Sequence, residues 1–260
     1  MENIAKQFSK KLDETLSIYN NIEKKIHVTW SNKEIINKNY NLIKNGILQL
    51  KLLNPDYDFY MYDDNDIENY LKINLSIEEY DLIKNKHIVE KSDLWRLLIV
   101  YNEGGIYSDI DRLCNIPLSN IIDNNIKFIL PMYYDNDFSQ DIIISCSKNI
   151  FLKNAIDLNL KTRKNDPNTK LYDLGPTSYF KAITEILIGT QLNREPLLTD
   201  VLFLRDIINN SKSVKTYRES PPYNTILCKN FLESGFNFDY EKKFMYDNEL
   251  IKHWNDTNIF

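Results

Sequence analysis

The sequence predicts an α/β fold: a mainly parallel, mixed sheet flanked by helices, within a single domain. Three observations carry this expectation. Short apolar or alternating runs such as "KKIHVTW", "YDFYMYD" and "IYSDI" are separated by stretches with apolar residues at helical spacing. The chain has 260 residues, of which 43% are hydrophobic, enough to bury a substantial core. No linker, repeat or low-complexity tract divides it.

The elements follow in order. Residues 2–22 carry Ile4, Phe8, Leu12, Leu16 and Tyr19 at helical intervals and predict an N-terminal helix. "KKIHVTW" (24–30) predicts a short buried strand. A helix over about 33–52 follows on Ile36, Tyr40, Ile43, Ile47 and Leu50, and Asn54-Pro55 ends it. "YDFYMYD" (57–63) alternates as a second strand, and "DDNDIENYLK" opens with acidic residues suited to a helix N-terminus. In "KSDLWRLLIVYNEGG" (91–105), Ser92 or Asp93 is expected to cap a helix that buries Leu94, Leu97 and Leu98. Gly104-Gly105 stops it. "IYSDI", "KFILPMYY" (127–134) and "DIIISC" (141–146) predict further strands. Helices are expected over 147–164 and 175–189, the second with Pro176 in its first turn. Beyond about 197 the sequence reads as mixed short strands and loops.

Composition excludes several classes. With 27% charged residues and a net charge of −5, the chain lacks the basic footprint of a nucleic-acid binder. Cys114, Cys146 and Cys228 are odd in number and form no CxxC pair, which argues against a zinc or disulfide framework. The N-terminus has no apolar run of the kind a signal peptide needs. No stretch approaches the roughly 18–20 apolar residues that span a bilayer. The expectation is a soluble, cytoplasmic-type protein without a membrane anchor.

The chemistry concentrates in "YNEGGIYSDIDRL" (101–113). The chain has six glycines, and two stand together here, marking a sharp turn or a close approach. Asp109 and Asp111 share a face if the segment is extended. Two carboxylates so placed repel unless a cation lies between them. A hard divalent ion such as Mg²⁺ is the natural occupant. Asp-x-Asp alone is weak, since "DND" at 64–66 and 135–137 repeats it in solvated contexts. Asp93 and Arg96 share a helix face three residues apart. From spacing alone they read as an exposed intrahelical ion pair worth a few tenths of a kcal/mol. His27 and Trp30 in "IHVTW", with His253 and Trp254 in "KHWND", place four of the chain's six His and Trp residues at its two ends. By themselves these read as core packing or as surface side chains.

Taken in order, "KKIHVTW", "NPDYDFYMYDD", "KSDLWRLLIVYNEGGIYSDIDRLCNIPL", "LGPTSYF" and "HWND" resemble one family of glycosyltransferases. It comprises the yeast Och1-type mannosyltransferases (glycosyltransferase family 32) and the catalytic domain of the large clostridial glucosylating toxins. The resemblance implies a GT-A fold, a Rossmann-like nucleotide-binding α/β domain, with a DXD motif. It implies transfer of a sugar from a UDP- or GDP-linked donor to a hydroxyl acceptor on a glycan, lipid or protein, with the anomeric configuration retained. Trp30 and the neighbouring backbone at Val28 would hold the base. Asp93, Arg96 and Tyr107 would serve the donor sugar, and Asp109 the ribose and the metal. Asp111 would coordinate Mn²⁺ or Mg²⁺ directly, with His253 beside it, and Trp254 would close over the diphosphate. Residues 25–146 would then form the nucleotide-sugar core and 147–260 the acceptor-side and closing segment, behind the helix of 1–22. At "DFSQDIIISC" the sequence departs from the family pattern, and Asp141 receives no role. A nucleotide-sugar hydrolase, a non-catalytic nucleotide- or glycan-binding domain and a nucleotidyltransferase are the rival readings. A nucleotidyltransferase would want a further carboxylate and a basic groove.

Overall fold

The computed structural model describes residues 2–114, 116–133, 137–170, 173–189, 198–218, 227–228 and 238–250. In chain order the elements begin with α1 (Glu2–Leu16), β1 (Lys25–Thr29), a 3₁₀ turn at Lys33–Asn37 and α2 (Asn41–Ile43). A π segment (Lys44–Leu48), α3 (Gln49–Leu53), β2 (Asp58–Tyr62), α4 (Asp64–Asn74) and α5 (Ile77–Asp81) follow. Next come α6 (Ile88–Glu103), β3 (Gly105–Ser108), β4 (Leu113–Cys114), β5 (Phe128–Tyr133), β6 (Asp137–Phe138) and β7 (Ile142–Ser145). The described part ends with α7 (Ile150–Asn165), α8 (Ser178–Ile188), α9 (Leu198–Asn210), β8 (Val214–Arg218), β9 (Leu227–Cys228) and α10 (Phe238–Asn248).

The main sheet runs β2-β1-β3-β7-β5-β6, with β8 also paired to β5. β1 is parallel to both β2 and β3, and β8 is parallel to β5. β7 runs antiparallel to β3 and β5, and β6 antiparallel to β5, so the sheet is mixed. Strand alternation divides the core in two. Tyr107 and Ile143 pack with Leu94, Trp95, Phe151 and Ile183 on one face. Ile106, Ile142 and Ile144 pack with Val28, Ile43, Ile47 and Met245 on the other. A strand buried on both faces needs helices on both, which explains its near-continuous apolar run.

Four local expectations change. The helix expected over 33–52 is broken into the 3₁₀ turn, α2, the π segment and α3. Lys38 and Tyr40 are extended, and Tyr40 donates its hydroxyl hydrogen bond to Glu249 in the distant α10 neighbourhood. Apolar periodicity cannot register such a break in a polar stretch. Helix α6 starts at Ile88, not at a Ser92 or Asp93 cap. His87 Nδ1 accepts from the Val89 N–H at 3.2 Å, and Asp93 is buried in the second turn. Strand β3 ends at Ser108, so Asp109 and Asp111 lie in the turn beyond it rather than on one strand. Finally, the segment after 197 contributes two helices, α9 and α10, besides the short strands. The "DND" at 64–66 belongs to the start of α4, where Asp63 and Asp66 form a reciprocal capping box. Residues 135 and 136 of the other "DND" lie outside the described residues.

Candidate active site at the end of β3

Helix α6 and strand β3 build the centre of the site, and the glycine pair makes their junction possible. Gly104 ends α6 with φ +66°, its N–H donating to the Val100 carbonyl at 2.9 Å. Gly105 follows at φ +91°, and a Cβ there would stand 2.4 Å from the Lys25 carbonyl oxygen in β1. Only glycine satisfies both the left-handed backbone and that approach. β3 can therefore pair with β1 directly after the helix and carry Asp109 out at the carboxyl end of the strand. This is where ligands sit in open α/β sheets.

Arg96 ties the helix to the strand end. Its Nη2 lies 3.1 Å from Asp93 Oδ1 and its Nη1 3.2 Å from Asp109 Oδ1. The guanidinium stands 4.9 Å over the Tyr107 ring, and the Tyr107 hydroxyl donates to Asp109 Oδ1. The ion pair expected from spacing is present, but it is not an exposed one: Asp93 and Arg96 are buried, 6% and 8% exposed. Burial pushes the Asp93 carboxyl up to about 6, against the lowering by Arg96 and with the help of the Asp109 charge. Burial pulls the Arg96 guanidinium down, but Asp109, Tyr107 and Asp93 more than offset it, so Arg96 stays firmly charged. Burial first, then the Asp109 charge and its hydrogen bond, hold the Tyr107 phenol well above its usual range despite Arg96.

Asp111 faces a different cation. Its Oδ2 is in contact with the Lys242 ammonium of α10, and Asp111 is 8% exposed. The Arg112 guanidinium pairs with the Asp141 carboxylate, while the Asp141 carbonyl accepts the Asp109 N–H at 2.8 Å. Asp141 therefore fixes the turn that carries both aspartates. Beside Asp93, Gly175 leaves the backbone close to two polar groups. A Cβ there would meet Gln140 Nε2 at 2.6 Å and Asp93 Oδ2 at 2.7 Å. The Gln140 Oε1 is buried and accepts no hydrogen bond among the described residues.

Trp30 lies just past β1, its N–H donating to the Tyr62 carbonyl at 3.1 Å. Its ring meets Tyr246 of α10 edge-on, centroids 5.1 Å apart, and its buried Nε1 has no hydrogen-bond partner among the described residues. Burial, then the Asp111 and Asp109 charges, raise the phenol of Tyr246, the ring that meets Trp30. The Val28 side chain is fully buried in the core, so a ligand could use only backbone at that position. His27, its neighbour, lies between the Tyr62 hydroxyl and the Gly104 carbonyl, 3.1 Å from each. Burial lowers its pKa to about 4, against the hydrogen bond to Gly104, so it stays neutral. His253 and Trp254 lie outside the described residues.

Asp93, Arg96, Tyr107 and Asp109 are thus in mutual contact, Asp111 sits in the adjoining turn, and Trp30 joins through Tyr246. Sequence reading missed Lys242, Tyr246, Gln140 and Gly175. Of these only Gly175, in "LGPTSYF", lies in a stretch that carried a signal. Among the described residues, no group of three or more His, Cys, Asp and Glu converges as a metal-ligand set. The fit to a divalent ion rests instead on two carboxylates with hard oxygen donors, each already facing a cation, Asp109 facing Arg96 and Asp111 facing Lys242. The remaining positions would fall to phosphate oxygens and water.

The chain is similar to several known glycosyltransferases. Residues 6–127 match the family described as glycosyltransferase sugar-binding region containing DXD motif. The chain is 32% identical over 111 residues to inositol phosphoceramide mannosyltransferase 3 of Schizosaccharomyces pombe, across 40% of this chain and 30% of that protein. It is 27% identical over 138 residues to inositol phosphoceramide mannosyltransferase 1 of the same organism, across 52% of this chain and 42% of that one. The matched stretches span less than half the length of either relative. The solved structure of PaToxG glycosyltransferase superposes with a TM-score of 0.50 at 16% identity, covering 79% of this chain and 94% of that one, a likeness of fold. The matched stretch contains Asp109-Ile110-Asp111, an Asp-x-Asp of the kind that description names, and these similarities support glycosyl transfer.

Proposed function

We propose that this chain is a single-domain, metal-dependent, retaining glycosyltransferase that uses a nucleoside-diphosphate sugar. The observation that carries this reading is the Arg96 bridge. One buried guanidinium holds Asp93 on a helix and Asp109 of the DXD turn, which leaves Asp111 facing a cation at the mouth of the strand end. Such an array suits a ligand with hydroxyls at one end and a diphosphate at the other. Asp93 and Arg96 orient the donor sugar through its hydroxyls, with Gln140 Oε1 available as a further acceptor. Trp30, whose indole N–H has no partner among the described residues, takes the base beside the β1 end. Asp109 and Asp111 would hold Mn²⁺ or Mg²⁺, and the resemblance assigns His253 and Trp254 to the diphosphate. A bound divalent ion would supply positive charge to offset the charge that grows on the leaving diphosphate. Arg96, by holding Asp109 in place, keeps the carboxylates aimed without moving during the reaction.

The test is a thermal-shift panel of UDP- and GDP-linked sugars with and without Mn²⁺, followed by transfer assays with the donor that stabilises. GDP-mannose heads the panel because two relatives are named as mannosyltransferases. A true donor at about 100 times its Kd adds roughly 2.7 kcal/mol of stability. The shift and the turnover should both vanish with EDTA and return with Mn²⁺ or Mg²⁺. Metal-independent turnover, or an Asp111→Asn enzyme active at saturating donor, would overturn the assignment. Donor cleavage to water alone, with no acceptor product, would instead favour a hydrolase.

A further inference from the structure

Lys242 comes from α10, some 130 residues beyond the DXD motif, yet its ammonium contacts the Asp111 carboxylate. The two side chains are 24% and 12% exposed, so the pair is largely withdrawn from water and is screened less than a surface pair. Its partner group is the carboxylate assigned to the metal. The helix that delivers it is anchored from several sides. Met245 is fully buried in the core, Glu241 accepts from Asn41 at 3.0 Å, and Glu249 meets Tyr40 and Lys38. Lys242 also lies 5.8 Å from the Tyr246 ring that packs on Trp30. An anchored helix cannot leave easily, but a lysine side chain with four rotatable carbons can swing.

We infer that Lys242 is a resident cation at Asp111 that a divalent ion must displace, so that metal binding releases its ammonium toward the donor diphosphate. The inference rests on the reading of Asp111 as a metal ligand. Without metal, the ammonium balances a buried carboxylate that would otherwise be costly. With metal, the same ammonium repels the incoming ion and moves off the carboxylate, where the nearest fitting counter-charge is phosphate. Lys242 is thus a further donor-site residue and a competitor that couples the metal to α10.

The experiment measures Mn²⁺ binding to the donor-free protein by calorimetry and by electron paramagnetic resonance. Lys242→Gln should bind Mn²⁺ roughly tenfold or more tightly than wild type, the change that about 1.4 kcal/mol of lost competition produces. Lys242→Arg keeps the charge and should stay near the wild-type affinity. A measurement on the unmodified sequence stands beside these, in case the glutamine variant folds poorly. Acylation of Lys242 by acetic anhydride, read by peptide mass spectrometry, should be slow without metal and faster with Mn²⁺. Equal or weaker Mn²⁺ binding by a folded Lys242→Gln, or acylation indifferent to Mn²⁺, overturns the inference. Asp111→Asn separates the two claims. If it abolishes Mn²⁺ binding while Lys242→Gln gains nothing, only the Lys242 inference fails. If it leaves Mn²⁺ binding intact, the metal reading fails and the inference with it.

Discussion

Replacing Gly46 with alanine should damage turnover more than it damages the fold. Gly46 lies buried in the π segment and touches the backbone just past the DXD turn. A Cβ at that position would stand 2.3 Å from the Arg112 carbonyl oxygen and 3.6 Å from that of Ile110. Ordinary contact begins at 3.4 Å, so the turn or the helix must give by about 1 Å. The obstructing atom is backbone, and no rotamer change relieves it. Alanine in a helix is favoured over glycine by roughly 1 kcal/mol, whereas overpacking costs about 1–3 kcal/mol. The net loss is therefore about 0–2 kcal/mol, a fall of only several degrees in Tm for a chain of this size.

Function is far more sensitive to the same displacement. Asp111 is the residue next to Arg112, and a shift of about 1 Å in a positioned group can cost on the order of 10²-fold in rate. Gly46→Ala should accordingly keep a cooperative melt and lose about 10²-fold in kcat/KM, with weaker Mn²⁺ binding. The assay pairs donor turnover at several Mn²⁺ concentrations with a thermal melt of the same sample. A Gly46→Ala enzyme with wild-type kcat/KM and Mn²⁺ affinity would refute the claim that this contact sets the turn.

Arg96→Ala should cost about 3–5 kcal/mol, because it strands two carboxylates, one of them deeply buried, and a urea melt would read this. Arg96→Lys should fold better yet still weaken donor binding, since a point charge cannot bridge Asp93 and Asp109 as a guanidinium does. Wild-type donor affinity in Arg96→Lys would remove the bridge from the site. In the metal-free protein, pH should act through Asp93 and His27 in opposite directions. An acid raised to about 6 favours the folded state as pH falls through that value, whereas a histidine lowered to about 4 costs stability from about 6.5 downward. Each is worth on the order of 3 kcal/mol, so the slopes offset between pH 6 and 4. Asp93→Asn should unmask the histidine, giving a steeper loss of urea midpoint on acidification, and an unchanged slope would contradict the burial of one or the other.

The central block was legible because its chemistry is local. Gly104-Gly105, Asp109 and Asp111 fall within eight residues, and Asp93 and Arg96 are one helix turn apart on the element that leads into them. What the spacing could not show was burial. A pair at i and i+3 looks alike on an exposed and on a buried face, and only the packing of α6 against the sheet makes Arg96 a bridge to Asp109. Lys242 and Tyr246 were illegible for another reason. They reach the site from α10, across a long stretch of sequence, and a lysine on an amphipathic helix carries no mark of its partner. Gly46 is similar: its value lies in a neighbour, Arg112, that sequence distance hides. Helix α6 was expected to begin at Ser92 or Asp93 because both are good caps, and His87 took the role through Nδ1. Asp93 is the sixth residue of α6, so its carboxylate is not used as a cap and pairs with Arg96 instead.

Charge decides the order in which this site can fill. Among the described residues around the DXD turn, Asp93, Asp109 and Asp111 face Arg96 and Lys242, one more carboxylate than cations, while Arg112 pairs with Asp141 and Arg163 with Glu90. The chain as a whole carries −5 and offers no basic field to draw in an anion. A diphosphate approaching the metal-free site therefore meets net negative charge, partly screened at the rim but poorly screened inside. A divalent ion arriving first, or with the donor, reverses that sign, and more so when it frees the Lys242 ammonium. On this argument metal and donor bind with positive coupling, and by reciprocity each tightens the other by the same factor. A calorimetric titration of UDP or GDP with and without Mn²⁺, and of Mn²⁺ with and without the nucleotide, should return matching factors in wild type. In Lys242→Gln the factor should shrink, because Mn²⁺ then binds well alone and no ammonium is left to pass to the diphosphate. An equal or larger factor in that variant would mean that the sign of the site is set elsewhere than at Asp111.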